Sequence, residues 1–145
     1  MAPRLRQASR LVVIGPDDRV LLFQYQDGPR AWWATPGGGL QGEETFEQAA
    51  AREAAEEVSL TGARLTFLWG QTVEFTFRGE SIRQVERYFL VRLPIGDVVL
   101  DERAREALRL EGVVAWRWWS LEEIAETPEP VFPEDLGERL RELQP

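Results

Sequence analysis

The chain contains no cysteine, no histidine and no lysine; all 17 of its basic residues are arginine. Without thiols there is no disulfide, thiolate nucleophile or zinc–thiolate site. Without histidine the usual neutral-pH proton carrier is missing, so a general base must be a carboxylate or, less readily, a tyrosine. Without lysine, a P-loop and a Schiff base are both excluded. Long apolar runs are missing too. Nothing approaches the roughly 18 residues that cross a bilayer. The segment 11–15 is too short for a secretory apolar region and soon meets Asp17 and Asp18. No membrane partner is expected, and a cytoplasmic location follows by default.

What is present suffices for one core. The chain has 145 residues, 43% of them hydrophobic, which implies a single domain over 1–145. Asp and Glu number 25 against 17 Arg, a net charge of −8, and no basic patch stands out to meet the phosphates of duplex nucleic acid. So acidic a chain, acting on an anionic substrate, needs divalent cations as intermediaries.

Residues 9–15 read as a strand, Pro16-Asp17-Asp18 as a turn and residues 19–25 as the hairpin partner. Residues 31–34 form a short extended segment and Pro36 to Gly39 a glycine-rich turn. A helix over 46–58 follows. Thr45 and Gln48 make a capping box, Glu47 suits the first turn, and Phe46, Ala50, Ala54 and Val58 repeat at i, i+4. Strands over 64–77 and 82–93 flank an Arg78-Gly79-Glu80 turn, the first interrupted near Trp69-Gly70 and the second ended by Pro94. Residues 97–110 are a charged connection with room for a short helix, and 113–118 a further strand. Ser120 caps a short helix. Pro128, Pro130 and Pro133 stiffen a linker into a last amphipathic helix reaching Leu143. The order predicts a mixed sheet covered on both faces, a three-layer α/β/α domain.

On the helix over 46–58, Glu53, Glu56 and Glu57 stand at relative positions 0, +3 and +4 and converge on one face. Like charges so close repel by roughly 0.2–0.5 kcal/mol per pair on a bare helix, and a cation over that face turns repulsion into coordination. The wider pattern is Gly38-x5-Glu44-x7-Arg52-Glu53-Ala54-x-Glu56-Glu57-x-Ser59-Leu60. At this composition the six fixed identities arise by chance on the order of once in several thousand such chains.

At these residues the chain resembles the Nudix hydrolases, whose signature is Gly-x5-Glu-x7-Arg-Glu-U-x-Glu-Glu-x-Gly-U, with U aliphatic. The direct match spans 23 residues, 38–60, and the segment 117–123 extends the likeness. The resemblance implies a Nudix-type α/β/α sandwich with a mixed central β-sheet and a loop-helix-loop catalytic motif. It implies hydrolysis of a nucleoside diphosphate linked to another group X, with Mg²⁺ or Mn²⁺ as cofactor. Glu56 and Glu57 would hold the metal, Glu53 would join them or orient the attacking water, and the Gly38 carbonyl would add a ligand. Arg52 and Glu44 would pair and fix the loop against the helix. Two departures stand out. Ser59 replaces a glycine where a left-handed conformation is common, and Gln41-Gly42-Glu43 replaces Glu-x-Gly ahead of Glu44.

Further candidates lie outside the motif. With histidine absent, Glu102, Glu106 and Glu111 are the downstream acids able to act as base, against their ordinary reading as surface acids. Glu86 could face the site, or pair with Arg83 or Arg87 at the surface. Arg83 and Arg87 are phosphate-contact candidates. Trp32 or Trp33 could stack on a base, although core packing is the commoner use of tryptophan. Trp116, Trp118 and Trp119 are expected to pack between sheet and helix. The small-molecule partner is a nucleotide. Nucleoside triphosphates, modified or not, come first by elimination, because the proline and tyrosine markers of ADP-ribose and dinucleoside polyphosphate hydrolases are missing downstream. Dinucleoside polyphosphates, ADP-ribose and sugar nucleotides stay open as alternatives, as does a nucleotide-sensing module without catalysis. The chain is expected to act as a monomer or a homodimer.

Overall fold

Residues 2–93 and 100–143 are described by the computed structural model, and strand β1 (Arg4–Ile14) shows how its layers arise. Successive side chains of a strand point to opposite faces. Leu11 and Val13 enter one core with Leu21, Phe23 and Phe89; Val12 enters a second core with Leu22, Trp33 and Tyr88. All of these strand residues are buried, so the sheet needs a cover on each side.

The cover follows from the remaining elements. After β2 (Val20–Asp27), β3 (Arg30–Ala34) and β4 (Gly37–Gly39) come helix α1 (Phe46–Val58), the hairpin β5 (Thr66–Phe77) and β6 (Glu80–Arg92), and helix α2 (Glu102–Leu110). Then come β7 (Val113–Trp119), α3 (Leu121–Glu126), β8 (Val131–Phe132) and α4 (Leu136–Leu143). Phe46, Ala50, Ala54 and Val58 of α1 and Leu108 of α2 close the first core. Leu136 and Leu140 of α4 close the second. The three-layer α/β/α expectation holds. No helix among the described residues is long and apolar enough to cross a membrane.

The sheet runs β5-β6-β1-β2-β3-β8, with β4 added to β1 and β7 to β2. It is mixed: β1 lies parallel to β6 along its whole length and β3 parallel to β8, while the other pairs are antiparallel. The expected β1–β2 hairpin is registered only at Ile14 opposite Val20. Beyond that pair β1 turns to β4, and the same edge of β2 turns to β3, while β7 holds the other edge of β2 from Val20 onward. The sheet therefore parts into a wedge, and the glycine strand sits in its mouth.

Helix α1 has the expected bounds, and its capping box is formed by Thr45 and Gln48. It ends where Ser59 takes φ 57, ψ 31, the left-handed turn that the replaced glycine would have taken without strain. Elsewhere the structure corrects the expectations. β1 begins five residues before the expected start, at Arg4 rather than Ser9, because β6 supplies a partner for a polar segment. The glycine turn is a short strand paired with β1 through Ser9 opposite Gly38. The proline-rich stretch includes β8, hydrogen-bonded to β3, rather than being only a linker. Trp119 is buried as expected, but Trp116 is exposed beneath Arg105. Pro94 and residues 97–99 lie outside the described residues.

Candidate active site

Helix α1 turns two of its three clustered carboxylates inward. Glu53 and Glu57, one turn apart, are each only 4% exposed, whereas the Glu56 side chain is 58% exposed. What permits a carboxylate to approach β4 so closely is the absence of side chains there. A Cβ added to Gly38 would sit 2.7 Å from Glu53 Oε1. Gly37, at φ 141, donates its N–H to Glu57 Oε2 at 3.1 Å.

Arg52 ties the buried Glu53 to the more accessible Glu44 and Glu56. It meets Glu44 through two parallel bonds, Nε to Oε2 at 2.8 Å and Nη2 to Oε1 at 3.0 Å. Nη1 donates to Glu53 at 2.8 Å and to Glu56 at 3.3 Å, and Nη2 also reaches the Gly39 carbonyl at 2.9 Å. Such bidentate, charge-assisted bonds fix geometry as well as adding energy. The Arg52 bonds and the Gln41 N–H together hold the Glu44 carboxyl below its usual range. The loop departure at Gln41-Gly42-Glu43 is absorbed by Gly42 at φ 54.

The inner pair is electrostatically incomplete. Glu57 Oε1 is buried and meets no donor; its neighbour is the Glu53 carboxyl. Burial first, and then the Glu53 carboxyl and the Glu111 charge, raise the Glu57 pKa well above the ordinary carboxylate value. Glu111, the C-cap of α2, is raised too, by burial of its carboxyl and by the Glu53 charge. Such a group of buried acids favours a proton or a cation among its members. The donors are all oxygen, which suits a hard divalent ion. The residues fit such an ion, although among the described residues no three acids yet stand as a ready ligand set.

The remaining candidates are sorted by their neighbours. Glu102 and Glu106 face solvent beside Arg109; of the three downstream acids only Glu111 reaches the α1 carboxyls. Glu86 is not a surface ion pair: it is buried and accepts from Arg10, Gln71, Gln84 and Tyr88. Burial alone would raise its pKa, but Arg10 and those donors bring it below the usual range. Arg83 is spent on Glu74 at the surface and Arg87 lies over the Phe46 ring at 4.3 Å. Trp33 is corrected to a core residue, edge-on to Trp119 with its indole N–H on Glu129. Trp32 points the other way, stacked on Tyr25. Arg6 and Arg10 flank the glycine strand, and Gln84, across β1 on β6, accepts from Arg6; the motif does not point to any of them. The signal for the arginines is Arg4, Arg6 and Arg10 at even positions of one segment, visible only once that segment is taken as a strand.

A family model described as the NUDIX domain matches residues 4–140. An RNA pyrophosphohydrolase of Caulobacter vibrioides is 30% identical over 146 residues, covering 93% of this chain and 81% of that protein. Among solved structures, a MutT protein from Methanosarcina mazei Go1 superposes with TM-score 0.72 at 20% identity, covering 100% of this chain and 99% of the other. A MutT NUDIX hydrolase from Burkholderia pseudomallei gives 0.69 at 22%, covering 97% and 99%.

Proposed function

This chain belongs to the NUDIX family, and from that premise we propose that it removes pyrophosphate from a 5′-triphosphate, with Mg²⁺ or Mn²⁺ as cofactor. Nudix hydrolases cut phosphoanhydride bonds with a divalent cation, and the chain is an enzyme of that class. The finer reading of substrate rests on the Caulobacter relative, an RNA pyrophosphohydrolase, and makes a triphosphorylated RNA 5′ end the first substrate to test, with free nucleoside triphosphates second. A single-stranded end needs no duplex-binding patch, which agrees with the acidic surface.

One observation carries the assignment of the site: the buried Glu53–Glu57 pair under the glycine strand, with Glu57 Oε1 lacking a donor. Glu53, Glu57 and, after release from Arg52, Glu56 would hold the cation, with the Gly38 carbonyl beside them. The cation supplies positive charge to the phosphoryl oxygens and to the attacking water. Glu111, the downstream acid that interacts with the α1 carboxyls, is the group we assign to take the proton of that water. Arg52 and Glu44 keep the helix and the loop in register. β4 brings backbone to the phosphates without a Cβ in the way.

The test is a panel of a triphosphorylated RNA oligonucleotide, nucleoside triphosphates, ADP-ribose, a dinucleoside tetraphosphate and a sugar nucleotide, each with Mg²⁺ and Mn²⁺. Pyrophosphate release from the RNA end or a triphosphate is expected. Turnover confined to ADP-ribose or a sugar nucleotide would reject the proposed substrate class. Glu111→Gln is expected to lower kcat by about 10²-fold or more, and an unchanged kcat would remove Glu111 from the role of base.

A further inference from the structure

Beyond the acids, β1 carries a cation with no acid of its own. Arg6 is half-buried, and its Nη1 donates to Gln84 Oε1 at 2.6 Å. Gln84 is neutral and fully buried, and it donates in turn to Glu86. The neighbours on the same face are provided for: Arg4 has Glu80 at 2.9 Å and Arg10 has Glu86 at 3.4 Å. Among the described residues no carboxylate pairs with Arg6, and the acid whose charge acts on it, Glu111, does so without an ion pair. Burial and the charges of Arg10 and Arg4 lower the Arg6 pKa. The fold spends energy to keep a guanidinium here, and a buried Gln orients it.

Its free edge faces the glycine strand. A Cβ added to Gly39 would sit 3.1 Å from both Nε and Nη2 of Arg6, and neither nitrogen has an acceptor among the described residues. On the adjacent residue, Gly38, the added Cβ would meet Glu53 instead. Consecutive Cα atoms are about 3.8 Å apart. Glu53 and the Arg6 fork thus stand on opposite sides of one three-residue strand with no side chain between them. Among the described residues that strand pairs with no strand but β1, and its other edge meets only side chains of α1, Glu57 on the Gly37 N–H and Arg52 on the Gly39 carbonyl.

We infer that Arg6 binds the phosphate next to the one attacked, so that the polyphosphate chain passes over the side-chain-free strand β4 from the Glu53–Glu57 side to the Arg6 side. The assignment rests on the pyrophosphohydrolase reading and names its specificity: a substrate with a further ionised phosphate gains from Arg6, and one whose diphosphate ends in a neutral sugar gains less. A planar fork with two free N–H groups suits a phosphate better than an ammonium would. The competing role is charge balance, with Arg6 offsetting Glu111 and the α1 acids without touching substrate.

Binding of inorganic pyrophosphate and of inorganic phosphate to the wild-type protein, Arg6→Gln and Arg6→Lys, by calorimetry in saturating Mg²⁺, separates the two. Mg²⁺ affinity is measured alongside without any phosphate. Pyrophosphate spans both positions. Its affinity is expected to fall about 10- to 100-fold in Arg6→Gln, as for a lost charge-assisted bond, with partial recovery in Arg6→Lys and Mg²⁺ affinity unchanged. On a turned-over triphosphate, KM should rise by a similar factor while kcat holds within about threefold. Equal pyrophosphate affinity in all three proteins, or a loss of Mg²⁺ affinity that accounts for the whole effect, would overturn the assignment. Failure of the wild-type protein to hydrolyse any triphosphate would count against the function proposed above, and the pyrophosphate measurement would still judge Arg6.

Discussion

Glu57→Gln should stabilise this protein without metal and weaken it with metal. The Glu57 carboxylate is 4% exposed, and its Oε1 meets no donor. A Gln side chain keeps an oxygen for the Gly37 N–H, which Glu57 Oε2 accepts at 3.1 Å, and turns an amide donor toward Glu53. A buried polar atom without a partner costs about 1–3 kcal/mol, and each unit of raised pKa costs the ionised fold about 1.4 kcal/mol. Near neutral pH the metal-free variant is therefore expected to gain about 1–2 kcal/mol, or about 2–8 °C in a domain of this size. Mg²⁺ at a hundred times its Kd stabilises the parent by about 2.7 kcal/mol, and the variant should lose most of that gain. Calorimetric melts of both proteins in EDTA and in Mg²⁺ read the four states. The order is expected to cross, with the variant melting above the parent in EDTA and below it in Mg²⁺. A variant that melts lower in both would refute the reasoning, because Glu57 would then be making a structural bond. One that keeps the full Mg²⁺ shift would show that Glu57 does not hold the cation.

Arg52→Gln removes the donors that Glu44, Glu53 and the Gly39 carbonyl share. Leaving the buried Glu53 charge unpaired should cost about 3 kcal/mol in urea unfolding, and a loss under about 1 kcal/mol would contradict that. Because the folded Glu57 and Glu111 pKa values lie above the ordinary 4.5, the metal-free fold holds more protons than the unfolded chain above that pH. Its stability should fall as pH rises from 4.5 toward neutrality. Saturating Mg²⁺ should flatten that slope, and a stability that climbs over the same range without metal would be the wrong sign. Glu44 and Glu86, whose pKa values are lowered, act in the opposite window, losing their contribution as pH drops below 4.5. Ser59→Gly relieves a left-handed residue worth about 1–2 kcal/mol but frees the unfolded chain by about 0.4–1 kcal/mol. A net gain of about 0.5 kcal/mol is expected from chemical denaturation, and a clear loss would show that the Ser59 side chain matters more than its φ.

Helix α1 could be read from the sequence because its signals are local: a capping box, an i, i+4 apolar row and acids at fixed spacing all lie within one element. The Arg52–Glu44 pair followed from the same spacing through the family resemblance. The first half of β1 could not be read, since Arg4, Arg6 and Gln7 carry no apolar alternation and become a strand only because β6 lies alongside. Glu86 was placed with Arg83 and Arg87, its sequence neighbours, yet adjacent strand residues face opposite ways. Its partners are Gln84 and Tyr88, two residues away on the same face of its own strand, and Arg10 and Gln71 from other strands. The same rule separates Trp32 from Trp33. Glu111 could be named as one acid of three, but only the packing of α2 brings its carboxyl to Glu53 and Glu57 and leaves Glu102 and Glu106 in solvent.

The central claim is that the α1 carboxylates under β4 hydrolyse a 5′-triphosphate. The most direct measurement follows a triphosphorylated RNA oligonucleotide with Mg²⁺, in wild-type protein and in the Glu53→Gln and Glu56→Gln variants. Chromatography should show equimolar pyrophosphate and 5′-monophosphate RNA from the wild-type protein, with the rate down by about 10³ or more in either variant, as expected when charge stabilisation of the transition state is removed. Release of the same products by the variants at the wild-type rate would contradict the account.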